Sequence, residues 1–374
     1  GNQTRGDASN RDTLSLYSAR YIKTESTTTN SLHLVSDLSD NLISEFYYST
    51  KETMTDQISP SGQNMPFFEI GDAFGYTIRF GPDIYRHAND LDTETTFFKG
   101  KLTYYLNDHK ITAGYENTVY DTYNVFIQNE DGSFEFANLA DFEAGIIDSY
   151  SASGSKTGNV SDAAADFEYE LSSFYLMDEY TVSDRMVLTA GIRYDDYSGD
   201  DTPTNQSFLD EYGFKNGGIK GTDLVNIRFG LDYIIDDVSD INITLGTYSS
   251  KMPNVWISNA YTNTGVNIAN YDSDFATSAC DTSTFGGLTF SGSNTKPDCV
   301  ISSISNPLNT SGKVDFIAPS FKWPESRIFN VTYNRLLPGD ANLTLTYLNS
   351  REEEALYRMV DTGYPLIGDQ PTVP

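Results

Sequence analysis

The side chains that could do chemistry are few and far apart in this sequence. The three histidines, His33, His87 and His109, have no metal-ligand spacing, so no imidazole pair is set up for zinc. His109 follows a turn and reads as a surface residue. Two carboxylate runs, "REEEA" (Arg351–Ala355) and "YDDYSGDD" (Tyr194–Asp201), could offer oxygens to calcium. Neither has the spaced loop of a dedicated calcium site, and both read as a solvated acidic rim. The glycines of "GDAFG" and "FGGLTFSG" lack the setting of a phosphate cradle, and no P-loop, GxSxG or HExxH occurs. No catalytic residue, metal site or cofactor is therefore assigned, and the chain does not read as an enzyme. Cys280 and Cys299 are more informative. Both lie in "FATSACDTSTFGGLTFSGSNTKPDCVISS", a polar stretch inside the longest connection. Two cysteines in one surface loop suggest a disulfide in an oxidising compartment, with two free thiols as the alternative. Closing such a loop stabilises by about 3 kcal/mol in the chain-entropy view.

What holds these residues has to be read from patterning. The chain has 374 residues and a formal net charge of -29, which argues against nucleic acid as a partner because phosphates would be repelled. With 38% hydrophobic residues and 26 tyrosines it is too apolar for an acidic disordered chain. It contains no long apolar run of the kind a transmembrane helix needs, which says nothing against transmembrane strands. The start, "GNQTRGDASN", shows no signal-peptide pattern and lies close to a strand, as expected of an excerpt or a processed product.

Residues Phe174 to Tyr197, "FYLMDEYTVSDRMVLTAGIRYDDY", alternate apolar and polar, break at a tight turn, and alternate again. Leu188, Ala190, Ile192 and Tyr194 share one face; Thr189, Gly191, Arg193 and Asp195 share the other. The unit recurs around the turns Ser39–Asp40, Asn107–Asp108, Ser183–Asp184, Ser239–Asp240 and Pro338–Gly339. Its clearest strand sets Val225, Ile227, Phe229, Leu231 and Tyr233 against Asn226, Arg228 and Asp232. The expected strands are 13–24, 31–38, 42–53, 94–106, 110–126, 168–182, 186–197, 223–236, 241–252, 325–337 and 341–350. "ESTTTN" (Glu25–Asn30) is then a short connection on the long-loop side. The long connections are Met54–Thr93, Ile127–Phe167, Ser198–Thr222 and Pro253–Pro324, each too long to be unstructured. "FGYTIRF" (Phe74–Phe80) could be one strand of an extra hairpin within residues 67–85, which the pattern alone leaves open.

Four features favour an antiparallel up-and-down transmembrane β-barrel over a soluble sandwich. The strands are long, roughly 10–14 residues, where transmembrane strands need about 9–11. Tight and long connections alternate, which puts all tight turns at one rim. One face is charged, through Glu116, Arg193, Arg228 and Asp232, and so must be wet, as a lumen is. Tyrosines Tyr104, Tyr120, Tyr180, Tyr194, Tyr197 and Tyr233 sit near strand ends, as in an aromatic girdle. In that reading Val225, Ile227, Phe229, Leu231 and Tyr233 face lipid, and Arg193, Arg228 and Asp232 face the lumen.

The hairpin "FYLMDEYTVSDRMVLTAGIRYDDY", with "YYLNDHKITAGYEN", "PNVWISNAYTNTG" and "PSFKWPESRIFNVTYNRLLPGD", resembles the barrel of TonB-dependent outer-membrane receptors, most closely the Oar-like subgroup. The similarity spans roughly residues 30 to 350. It implies a 22-stranded barrel of which about half is here, as one segment over residues 1–374. The plug and the final strand are not in this stretch, and residues 253–324 form a long extracellular loop. It further implies a multi-pass β-barrel in the Gram-negative cell outer membrane, surrounded by lipid and lipopolysaccharide. Such a receptor binds an extracellular ligand and imports it with energy from the TonB complex, acting through the plug. An unplugged porin-type channel or a surface adhesion protein is the alternative. The best ligand contacts are Trp256, Asn259, Tyr261 and Asn263, whose rings and amides can stack on and hydrogen-bond a peptide or glycan. The competing reading makes Trp256 an interface anchor and the asparagines turn residues.

Overall fold

The computed structural model describes residues 2–6, 12–213, 215, 218–249, 254–272, 280–306 and 314–354. The first strands are β1 (Asn2–Gly6), β2 (Thr13–Ser15), β3 (Arg20–Ser39), β4 (Leu42–Ile58), β5 (Phe67–Ala73) and β6 (Tyr76–Phe80). Next come β7 (Ala88–Leu106), β8 (His109–Ile127), β9 (Ser133–Phe136), β10 (Ser149–Ser155), β11 (Ala165–Ser183) and β12 (Met186–Gly199). The last are β13 (Thr222–Asp236), β14 (Ser239–Ser249), β15 (Ile268–Asp272), β16 (Glu325–Leu337) and β17 (Ala341–Glu354). Four short helices lie in the connections: α1 (Leu139–Ala144), α2 (Gln206–Tyr212), α3 (Asn254–Thr262) and α4 (Asp298–Ile304).

Eleven strands make one antiparallel sheet, the wall, in the order β1-β3-β4-β7-β8-β11-β12-β13-β14-β16-β17. The other six make a smaller mixed sheet, β15-β10-β9-β5-β6-β2, built from the long connections together with β2, which precedes β3. Register carries the period-two pattern from strand to strand. Tyr115, Phe174, Tyr194 and Val225 stand directly opposite one another in turn, and Leu176, Ile192 and Ile227 form the next row. Leu231, Ile243, Val331 and Tyr347 continue the face to the far edge. Among the described residues nothing covers it: Phe174 is 56% exposed and Phe229 52%. A sandwich would have buried these rings against a second sheet.

The five tight turns lie along one edge of the wall, and backbone hydrogen bonds join each to its neighbour. Tyr105 N–H donates to the Asn41 carbonyl, Thr181 to Asp108, Ile234 to Arg185 and Leu336 to Val238, each at 2.8 Å. The long connections therefore gather at the opposite edge.

Two expectations need correcting. Residues 13–24 and 31–38 are not two strands joined by "ESTTTN"; Arg20–Ser39 is one strand, paired residue for residue with β4, including Asn30 with Thr50. A Thr-rich run has strand propensity without apolar alternation, so the pattern fades while the ladder continues. The strands also exceed the expected length. At roughly 3.4 Å per residue a 19-residue strand reaches about 65 Å, twice a hydrocarbon core of about 30 Å.

That excess length has a pattern of its own. In β11 the exposed apolar face holds Phe174 and Leu176, near the tight turns. Further along the strand the opposite face takes over: Ala165, Phe167, Tyr169 and Leu171 are buried, while Glu168 and Asp166 between them are exposed. The apolar side of the wall thus changes face halfway along. On the face that bears Phe174, the far half carries Glu52, Glu94, Asp121 and Glu168, all exposed and directly opposite one another across β4, β7, β8 and β11.

The long connections fold into a layer with its own cores. In one cluster Phe134, Phe136, Tyr150 and Ile70 are buried together with Val300 and Ile304 of α4. A second joins α3, through Ile257, Ala260 and Tyr261, to Phe167, Tyr169 and Tyr197 of the wall. The question left open for residues 67–85 is answered by a hairpin, β5–β6.

Candidate functional site

In the half of the wall near the tight turns, the face opposite the lipophilic one carries a cluster of paired charges. Arg193, Arg228 and Asp232 all project from it, since Arg193 pairs with Asn226 in register and Arg228 and Asp232 follow at even spacing. The Arg193 guanidinium donates to Glu116 at 2.7 Å, to Asp195 at 2.8 Å and to Ser173 at 2.7 Å. Beside it the Tyr175 ring lies across Gly114, where any Cβ would collide with the ring. Arg228 stacks on Tyr248, 4.6 Å from its centroid, and Asp232 accepts from Asn242. Lys99 and Lys101 both pair with Glu45. This is a surface of fixed, mutually neutralising charges, suited to contact with water or a polar partner.

Within "PNVWISNAYTNTG", Asn254–Thr262 form a helix, α3, rather than a loop. Tyr261 is buried, stacks on Phe167 at 4.3 Å and donates to the Asp200 carbonyl at 2.6 Å; burial pushes its phenol up to about 12. Asn263 donates to the Asp315 carboxylate at 2.6 Å. Trp256 packs at the margin of the same cluster, and Asn259 is partly buried. The helix is fixed to the wall by Asn124, which donates to Ser258 at 2.7 Å, and by Tyr169, which donates to Asn254 at 2.8 Å. Two of the four candidates, Tyr261 and Asn263, are thus tied to internal partners, and α3 acts as a brace across the charged side of the wall.

The tyrosines divide by face. Tyr104, Tyr180, Tyr194 and Tyr233 are partly exposed on the lipophilic side. Tyr120 and Tyr197 are not girdle residues: register puts them on the other face, where Tyr120 stacks on Tyr169 and Tyr197 on Trp323. The histidines are as scattered as their spacing implied. His33 lies edge-on to Tyr47, and His109 contacts Asp178 at 2.8 Å while stacking on Tyr180.

His87 is different, and sequence gave little sign of it. It is buried where the chain enters β7. Its Nε2–H donates to the Pro82 carbonyl and its Nδ1 accepts from the Asp131 N–H, which fixes a neutral tautomer. Burial holds it down at about 4. Asp131 is 3% exposed; burial and the adjacent Glu130 carboxylate push it up to about 6. Thr295 donates to Asp131 at 2.9 Å, and the Lys296 ammonium is held by the Glu130 carboxylate and carbonyl. Cys280 and Cys299 are bonded, with Cα atoms 5.2 Å apart, and they close the strap that carries Thr295 and Lys296. Residues 164 and 166 positions apart in sequence meet here, which no local spacing could reveal.

Against known proteins, the model of the outer membrane beta barrel domain matches residues 2–373. The chain belongs to that family. It is an outer-membrane β-barrel protein, from a family defined by a membrane wall and not by a reaction. Among the described residues no helix is long and apolar enough to cross a membrane. No curated protein matches the chain in sequence. Among solved structures it is similar to the outer membrane transporter YddB from Escherichia coli (TM-score 0.48, 11% identity, 93% of this chain and 43% of that one). It is also similar to the copper transporter OprC (0.43, 10%, 89% and 39%) and to the ferric yersiniabactin uptake receptor FyuA from Yersinia pestis (0.42, 10%, 89% and 36%). This chain covers less than half the length of each of these proteins.

Proposed function

We propose that this protein is an outer-membrane receptor of the TonB-dependent class, Oar-like in subgroup, that binds an extracellular ligand and imports it with energy delivered through TonB. The observation that supports this most is the folded loop layer braced against the charged side of the wall. A passive pore needs an open lumen; here α3 and its buried cluster lie over the face a lumen would have. The four stretches that resemble such receptors agree with this. In this reading the eleven strands are half of a 22-stranded wall, the lipophilic face meets lipid and lipopolysaccharide, and the receptor's plug meets Arg193, Arg228 and Asp232. The tight turns face the periplasm and the loop layer faces outward, following the short-turn, long-loop asymmetry of such barrels. Trp256 and Asn259, only partly buried, are the α3 residues with surface left for a ligand.

The test is accumulation of labelled iron chelates, peptides and glycans in the periplasm of cells with and without the protein. Uptake of at least one cargo should need the protein and should stop with an uncoupler. Uncoupler-insensitive flux, together with steady conductance in planar bilayers, would make it a porin. Binding at the surface without any flux would make it an adhesin.

A further inference from the structure

In the half of the wall near the tight turns, the lipophilic face between β7 and β13 is interrupted by one ionisable pair. On β7, β8, β11, β12 and β13 the four rows from Phe174 to Tyr180 hold apolar or aromatic side chains and one glycine, apart from His109 and Asp178. Along β11, Asp178 has Leu176 on one side and Tyr180 on the other. We propose that this patch is the contact face of a homodimer in the membrane, in which a second copy brings its own His109–Asp178 pair against this one. The dimer holds for a receptor, a porin or an adhesin alike.

The pair is not closed on itself. His109 Nδ1 meets Asp178 Oδ2 at 2.8 Å, with the ring stacked on Tyr180 at 4.3 Å. Nε2 is left without a hydrogen-bond partner among the described residues, and the two side chains keep 38% and 39% of their surface open. Asp178 Oδ1 is shielded, so an incoming donor meets Oδ2, which has a lone pair to spare. Lys110 and Glu179, next along each strand, pair on the opposite face and do not enter. Hydrocarbon offers the pair nothing, and an ionisable side chain set in it turns to protein. A second copy supplies what is missing. With each Nε2 directed at the other copy's Oδ2, two rings and two carboxylates close into one hydrogen-bonded circuit. Both nitrogens of each ring then donate, and two imidazolium charges match two carboxylates.

Shape and area agree with this. A hollow of about 740 Å³ lies towards the β7 side of the pair, where Gly100 and Ala113 stand among Leu102, Phe174 and Leu176. Towards the β13 side Ile227 and Phe229 are exposed. A two-fold axis through the pair, along the membrane normal, sets the ridge of each copy against the hollow of the other, as an isologous contact requires. Five strands about 4.8 Å apart and four rows deep offer roughly 650 Å² per copy, so the contact buries about 1,300 Å², within the range of stable interfaces. A different protein would have to match both the pair and the relief, whereas a second copy matches them by symmetry.

The test is disulfide crosslinking of the whole protein in outer membranes, with one cysteine added; its own two are bonded to each other. Ile111→Cys, directly opposite Asp178 and next to the axis, should give linked dimers on mild oxidation. Leu345→Cys, on β17 of the same face, should link at least roughly tenfold more slowly, since cysteines far apart cannot be bridged. Photobleaching steps counted in nanodiscs should show the parent in pairs. His109→Leu combined with Asp178→Leu should weaken association roughly tenfold or more, although it makes the face more lipophilic. Ala113→Trp changes an exposed, lipid-facing position, so the variant should fold, and it should weaken association by filling the hollow; this arm decides the matter if the double variant does not fold. Equal crosslinking at the two positions, single steps in the parent, or association unchanged by the double substitution or by Ala113→Trp overturns the dimer. Crosslinks from Ile111→Cys to another protein and not to a second copy overturn it too. A monomer that instead retains a phospholipid, lost in the double variant, assigns the pair to a headgroup and overturns it as well.

Discussion

Phe174 in the wall is 56% exposed, whereas Phe134 in the loop layer is fully buried among Phe68, Phe285 and Tyr150. The same residue type meets two environments in one chain. The wall's cohesion is backbone pairing, continuous over eleven strands, and its apolar side chains await a solvent that is not water. The loop layer's cohesion is side-chain packing, aided by a disulfide, and its strands are as short as three residues. The lesson is that a membrane wall and its cap answer to different rules. Pattern alone builds the first, and long-range contact builds the second.

The comparison predicts that substitutions should act locally and under different conditions. Phe134→Ala should cost the loop layer about 3–5 kcal/mol, as large core truncations do, and leave the wall folded. Denaturant unfolding followed by proteolysis of the loops, beside gel mobility of the intact barrel, would show this; joint collapse of both would erase the distinction. Phe229→Arg should do the reverse. It should destabilise the wall in lipid by about 2–4 kcal/mol if it lies near the midplane, with loop proteolysis unchanged. Cys280→Ser should follow at about 2–3 kcal/mol, confined to the strap, since Phe285 and Ile304 still anchor both sides. Reducing agent should have the same effect on the parent protein and none on the variant.

The smallest effect concerns pH. His87 is lowered from 6.5 to about 4, so its contribution is intact above 6.5 and is lost as pH falls towards 4. Asp131 is raised from 3.8 to about 6, so burial of its charge opposes folding above 6 and that opposition fades as pH falls towards 3.8. The two trends oppose each other, and the parent loop layer should be nearly flat between pH 4 and 6.5. Asp131→Asn should unmask the histidine, with stability falling on acidification by on the order of 2 kcal/mol. A flat profile in that variant would contradict the burial of His87.

Much of the wall was legible because alternation over long strands leaves few choices. The five turns, the paired faces and the charged residues Arg193, Arg228 and Asp232 follow from period two and parity. The continuity of β3 was not, since Thr and Ser carry no facial preference in "ESTTTN". The loop layer was hidden for another reason. Asp131, His87 and Lys296 come together through packing of separate connections, and α3 was read as a loop because its Asn, Ser and Thr residues are turn formers as often as helix residues. Tyr120 and Tyr197 looked like girdle residues until their face was known.

The row of Glu52, Glu94, Asp121 and Glu168 sets four like charges side by side on neighbouring strands, an arrangement that disfavours pairing in an isolated sheet. In a bilayer it becomes a waterline. Lipid chains can wet the wall up to this row and no higher, because raising the hydrocarbon across it would strip water from four carboxylates at once. The barrel's height above the membrane is then set by charge, not by strand length. A thicker bilayer must thin locally around it or leave the protein to gather where the membrane already fits.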